Sequence, residues 1–206
     1  MRIFRYGGPV AEFIDLLIDA MLVGLLWVLT SLAVVTVGAS SSAAYYVMMR
    51  RVSHREYSIV KDYFTAFKGN FVSSALMFLT IAGACLVCVL NIYNLEAFES
   101  MGAVVLAFQV LLALEICFIS VHAFPLISRF DMKFRDVIKL AAIIAHKHLL
   151  TTLAHVALLA AAVLSCFFVP FLFFVNYGIY CWMSSYMLIR VYRKYRPEMD
   201  MDEDGC

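Results

Sequence analysis

Basic residues in this chain fall into three clusters, each beside a long apolar run, and that alternation constrains the fold more than any other feature. Arg50, Arg51, Arg55, Lys61 and Lys68 form the first cluster. Arg129, Lys133, Arg135, Lys139 and Lys147 form the second, and Arg190, Arg193, Lys194 and Arg196 the third. The stretches 94–108 and 167–176 contain no Lys or Arg. Cations confined to alternate connections are the charge bias of a multi-spanning membrane protein whose basic connections face the cytoplasm. The chain is 64% hydrophobic and 15% charged, whereas soluble domains carry roughly 45–50% apolar and about 25% charged residues. The expectation is an all-α polytopic bundle: one membrane domain over 1–196 and a short acidic, disordered tail over 197–206. Cations flanking apolar spans suit lipid headgroups, so the bilayer is the expected partner and nucleic acid is not.

A membrane-crossing helix needs about 20 apolar residues. Residues 72–93, 103–127, 149–169 and 171–192 each meet that length, with a tight turn at Pro170 between the last two. Pro125 is expected to kink or end its helix. The first apolar region, Ile14 to Met49, is about 54 Å long as one helix, too long for a single crossing and short for two. Thr36-Val37-Gly38 followed by Ser40-Ser41-Ser42 is the natural break, giving a first helix over 15–36 and a short second helix over 39–52. This hairpin makes six helical segments and puts all sixteen Lys and Arg on one side, with both termini cytoplasmic. The alternative is one long kinked helix, hence five spans, with Arg2 and Arg5 on the opposite side. Arg2 and Arg5 are followed by Glu12, Asp15 and Asp19 rather than a clean apolar core, so the first span reads as a retained anchor and not a signal peptide.

Between spans lie two amphipathic segments. In Ser58–Phe71, Val60, Tyr63, Phe64, Phe67 and Phe71 recur at helical spacing, with Lys61, Asp62, Thr65 and Lys68 between them. Residues 131–148 repeat the idea, with Asp131 as the expected cap. Both suit the cytoplasmic headgroup region. Tyr63, Phe64, Phe67, Lys68, Arg50, Arg51, Lys133 and Arg135 are therefore the candidate surface for lipid or a partner.

Ionisable groups inside spans are costly and mark function by default. Glu115 lies amid Leu and Ile in 103–127, and His122, seven residues on, shares its helix face. Such a pair relays a proton or binds a polar ligand if it faces the interior, and bonds neighbouring helices if it does not. Glu12, Asp15 and Asp19 form one acidic stripe, suited to surface ion pairs or to lining an entrance. Gly38, Ala39, Ser42 and Ala43, and separately Ala154, Ala157, Ala160 and Ala161, make small faces that let helices approach closely. Cys85-x-x-Cys88 lies in an apolar run with no second pair and no redox-fold context, so it reads as packing. No zinc-protease, nucleophile-elbow, Walker A or dinucleotide-loop sequence is present. Neither catalytic residues nor a cofactor are expected.

Val34-Val35-Thr36-Val37-Gly38-Ala39 followed by Ala43-Ala44-Tyr45-Tyr46-Val47, with Asp62-Tyr63-Phe64 and Phe67-Lys68-Gly69-Asn70-Phe71, resembles the YesL-like family of bacterial integral membrane proteins. Ala33 departs from the proline of that family, so glycine and serine are left to supply the break. The resemblance implies a plasma-membrane protein without an assigned activity, linked to carbohydrate uptake. Two expectations result: an accessory or scaffold component alongside transporter permease or ATPase subunits, and, from the polar residues themselves, a small transporter or ligand-binding component using Glu115, His122 and the acidic stripe.

Overall fold

The computed structural model describes residues 9–53, 55–95, 101–168 and 173–195. Eight α-helices run through them: α1 Pro9–Thr30, α2 Val37–Val52, α3 Ile59–Gly69, α4 Phe71–Tyr93, α5 Gly102–Arg129, α6 Phe134–Lys147, α7 Leu149–Phe168 and α8 Phe173–Tyr192. This is the all-helical bundle with six longer segments and two short amphipathic helices. Four helices, α1, α4, α5 and α7, are long and apolar enough to cross a membrane. α8 has 20 residues but stands outside those four. Its polar Ser184 and Ser185 are buried, and the helix packs against α1, α2 and α7. Arg2, Arg5, Pro170, Arg196 and the acidic tail lie outside the described residues.

The first apolar region is a hairpin, not one long helix. Arg51 pairs with Asp19, Trp27 Nε1–H donates to Ser41 Oγ at 3.1 Å, and Thr30 Oγ1 lies 2.8 Å from Ser40 Oγ. Partners that climb one helix while descending the other define an antiparallel pair. The turn falls earlier than expected, at residues 31–36, where Val34–Thr36 form a single 3-10 turn. Thr36 Oγ1 closes it by donating towards the carbonyls of Thr30 and Ala33. Gly38 and Ser40–Ser42 are buried within α2 and serve packing instead. A Cβ on Gly38 would sit 2.4 Å from the Ser74 carbonyl oxygen, and Ser74 Oγ donates to Ser42 Oγ at 3.0 Å where α2 crosses α4. With 16 residues, α2 reaches about 24 Å, short of a roughly 30 Å hydrocarbon layer. The hairpin tip carries exposed Leu32, Val34 and Val35, chemistry suited to lipid.

α1 also lies against α8, and glycine makes the approach possible. A Cβ on Gly24 would sit 1.5 Å from the Phe174 carbonyl oxygen, and one on Gly178 would sit 2.1 Å from that of Ala20. The other expected small face does not pack, since Ala157, Ala160 and Ala161 of α7 are exposed. Thr152 and His155 are what α7 buries.

The dense core sits at the end where the basic clusters gather, around Met48, Leu126, Phe130, Ile144, Leu188 and Tyr192. Towards the other end, Val89, Tyr93, Val104, Phe108, Phe167 and Phe168 stand exposed. Residues facing hydrocarbon need no protein partner, so burial fades where lipid supplies the apolar surroundings. α3 turns Tyr63 and Ala66 inward and α6 turns Val137, Ala141, Ile144 and Ala145 inward. Lys61, Lys68, Lys133, Arg135, Lys139 and Lys147 are exposed on their outer faces. Asp131 does not cap α6, which starts at Phe134 with Lys133 as the residue before it. α5 continues through Pro125 to Arg129.

Candidate functional site

The acidic stripe of α1 lines a cleft at the end of the bundle where the basic clusters gather. At the basic end, Glu12, Asp15 and Asp19 of α1 meet Arg51, Arg55 and Tyr57 from the end of α2 and the strap beyond it, with Trp182 and Tyr186 of α8 opposite. They surround a cavity of about 690 Å³, inside the range of small-molecule sites. Asp15 and Asp19, singled out in the sequence, are thus brought together, one turn apart on one wall.

The deepest part of the cleft is fixed. Arg51 pairs with Asp19, and Tyr57 is wedged against both: its hydroxyl donates to Asp19 Oδ2 and accepts from Arg51 Nη1. The guanidinium also lies 5.9 Å from the centre of the Tyr57 ring. Arg50 turns the other way, donating to Tyr46 Oη at 3.0 Å and to the Glu56 carbonyl at 2.8 Å, and lies 3.7 Å from Asp62. Of the two arginines expected on an open surface, Arg51 is therefore tied to α1, and Arg50 to its own helix, the following loop and α3. Glu12 and Asp15 are exposed along the mouth. Carboxylates that accept hydrogen bonds beside aromatic ring faces suit a polar ligand carrying hydroxyls or a positive charge.

The other expected pair is not formed. Glu115 is half exposed and bonds His146 of α6, with Oε1 to Nε2 at 3.1 Å. His122 is fully buried and bonds Thr152 Oγ1 of α7 at 3.0 Å. A seven-residue spacing puts two side chains on one face, but over about 10 Å of helix that face changes neighbours. α6 folds back along α5 far enough to meet Glu115, while α7 covers His122.

Of the expected surface residues, Tyr63 is fully buried. Its hydroxyl lies 2.7 Å from Thr30 Oγ1, tying α3 to the hairpin. Phe67 stacks on Tyr63 with ring centres 6.5 Å apart and is partly buried. Phe64, Lys68, Lys133 and Arg135 are exposed. Among the described residues, no group of three His, Cys, Asp or Glu is placed to hold a metal ion. Tyr45, Thr152 and Tyr180, buried beside His122 and His155, were not marked by the sequence; the histidines within the runs 103–127 and 149–169 were the available signal.

Fold and cleft together define a helical membrane protein with a polar recess at its basic end. Residues 20–92 match the model of a family described as protein of unknown function, DUF624, which is the YesL-like family to which the hairpin and α3 motifs pointed. No curated protein and no solved structure matches the chain.

Proposed function

We propose that this protein is a ligand-binding component of the bacterial plasma membrane serving carbohydrate uptake, and that its ligand is a small hydroxylated molecule held in the cleft at the basic end. The observation that carries the reading is the convergence of Asp15, Arg55, Trp182 and Tyr186 on one cavity of about 690 Å³. A carboxylate and a guanidinium bond hydroxyls from opposite polarities, and aromatic faces accept the apolar C–H face of a sugar ring. In this reading the basic connections, and so the cleft, face the cytoplasm. The protein contains two tryptophans, so Trp27→Phe leaves Trp182 as the single reporter. In nanodiscs, saturable quenching of Trp182 by a panel of mono- and disaccharides, lost in Asp15→Asn, is the expected result. A flat response across neutral, amino and acidic sugars removes this reading.

A second reading, an accessory component of a transporter, is favoured by the outer faces of α3 and α6. There Val60, Phe64 and Ile143 are exposed beside Lys61, Lys68 and Lys139. Stoichiometric recovery of a permease or ATPase subunit in mild detergent, reduced by Phe64→Ala, supports it. Recovery unchanged by that substitution counts against α3 as the contact.

A further inference from the structure

A second group of deeply buried polar side chains lies away from the cleft, where α5 and α7 meet beside α2 and α8. His122, Thr152 and His155 are at most 1% exposed, and Tyr45 and Tyr180 at most 6%. Polar groups at such a place in a membrane bundle must find their partners inside the protein.

The neighbours assign the protons. Thr152 Oγ1 lies 3.0 Å from the Ala145 carbonyl oxygen and 3.2 Å from that of His148, and it can bond a carbonyl only by donating. With its one hydrogen so committed, Oγ1 accepts from His122 Nε2 at 3.0 Å. His122 is then the Nε2–H tautomer, and its Nδ1 presents a lone pair. Around His155, the hydroxyls of Tyr45 and Tyr180 lie 3.1 and 3.0 Å from Nε2. A phenol is a stronger acid than a neutral imidazole, so one of the two donates to the single lone pair of Nε2, and the two hydroxyls also bond each other. His155 then carries its proton on Nδ1. Both Nδ1 atoms are buried and neither has a hydrogen-bond partner among the described residues. One ring therefore offers an unmatched acceptor and the other an unmatched donor, with ring centres 5.8 Å apart.

We propose that His122 and His155 form a binding site for one water-sized molecule that both accepts and donates a hydrogen bond, water itself in the resting protein. It accepts from His155 Nδ1–H and donates to His122 Nδ1. A single ligand thereby satisfies two groups that are costly to bury unpaired. The result is a hydrogen-bonded chain across five helices. It begins at Tyr45 and Tyr180, which line a cavity of about 170 Å³ with Ser41, Ser120 and Tyr177. It passes through both imidazoles to Thr152 and the Ala145 carbonyl of α6. The chain can move a proton: one gained at His155 Nε2 releases the Nδ1 proton to the water, and the water passes one of its own to His122 Nδ1. The net change is one proton on His122, with no heavy-atom bond altered. Tyr192, whose hydroxyl lies 3.4 Å from the His122 carbonyl, His148, bonded to Thr152 through its carbonyl, and Tyr177, Cys181 and Cys117 beside Tyr45 and Tyr180 are the other titratable residues facing this site among the described residues.

The test is nitrogen-15 NMR of histidine-labelled protein in nanodiscs, with His122 and His155 assigned by sequential backbone correlations. The expected result is opposite tautomers for the two rings and a cross-peak between His155 Nδ1–H and water. His122→Gln keeps an amide donor near the old Nε2 position for Thr152 but deletes Nδ1. It should shift the His155 Nδ1 resonance while leaving the fold intact. The same tautomer at both rings, no water contact at His155, or a His155 signal unmoved by His122→Gln overturns the proposal. The wild-type tautomers decide the matter even if the variant does not fold.

Discussion

Asp19 lies nearly three turns into α1, yet its carboxylate meets the guanidinium of Arg51, close to the end of α2, and the Tyr57 hydroxyl bonds both. The contact fixes the register of the hairpin and forms the floor of the cleft. Both side chains are mostly buried, at 13% and 16% exposure. Removing one partner strands a desolvated charge, so Asp19→Asn or Arg51→Met should each cost about 2–3 kcal/mol. The double variant should recover part of that loss, because no lone charge remains. Unfolding in detergent, measured as a double-mutant cycle, gives the coupling. Two losses that simply add would mean the pair does not hold the hairpin.

The backbones of α1 and α8 approach each other closely at two glycines. A Cβ on Gly24 would meet the Phe174 carbonyl oxygen, and one on Gly178 that of Ala20. Each atom pressed on is main chain, so a rotamer change cannot relieve it. Gly178→Ala should cost about 1–3 kcal/mol by overpacking, and Gly178→Val more. Gly83, which has open space around its Cβ position, is the control: Gly83→Ala should be neutral or slightly stabilising, since alanine favours helix. A midpoint for Gly178→Ala equal to that for Gly83→Ala in thermal unfolding would contradict the close packing.

Much of the fold was legible in the sequence because lipid imposes a single demand, a long apolar helix bounded by charge. α4, expected over 72–93, runs over 71–93, and α7, expected over 149–169, runs over 149–168. The hairpin was one of two readings that length left open, and the charge bias favoured it. Its turn was misplaced because Thr36 closes it with a side-chain bond, which composition does not reveal, and because the glycine and serines of α2 were packing residues that resembled a break. The site was less legible. Periodicity says which residues share a face, but not which helix covers it. Hence spacing places Asp15 and Asp19 on one wall, as the cleft has them, but it pairs Glu115 with His122 instead of His146 and leaves Tyr63 on the surface instead of in the core.

Tyr63 gives a direct test of that last correction. Its ring is fully buried and its hydroxyl lies 2.7 Å from Thr30 Oγ1. Burial pushes the hydroxyl up to about 12, so it stays protonated across the working range. Tyr63→Phe keeps the packing and deletes the bond, leaving Thr30 and the hairpin end less satisfied. The expected loss is about 1–2 kcal/mol. Phe64→Ala, on the exposed face of α3, should lose less. Equal losses for the two substitutions in thermal unfolding would return Tyr63 to the surface.

The pairing of Glu115 with His146 makes the docking of α6 on α5 depend on pH. His146 is raised above the usual imidazole value, first by the bond from Nδ1 to the Ala142 carbonyl at 2.8 Å and second by Glu115. A group raised on folding contributes stability that is fully present below its unfolded value, about 6.5, and that is lost as pH rises through the higher folded value. The α6 contact should therefore be firmest in mild acid and loosen above neutrality. Glu115→Gln should lower the His146 midpoint only in part, because the larger cause, the Ala142 carbonyl, remains. Titrating His146 by NMR in both proteins checks this. A midpoint at or below 6.5 in the wild type would show that the pair does not form, while a complete return to 6.5 in Glu115→Gln would reverse the order of the two causes. Both side chains are about half exposed, so added salt should weaken the Glu115 contribution and leave the Ala142 bond, which does not rely on a full charge, largely unchanged.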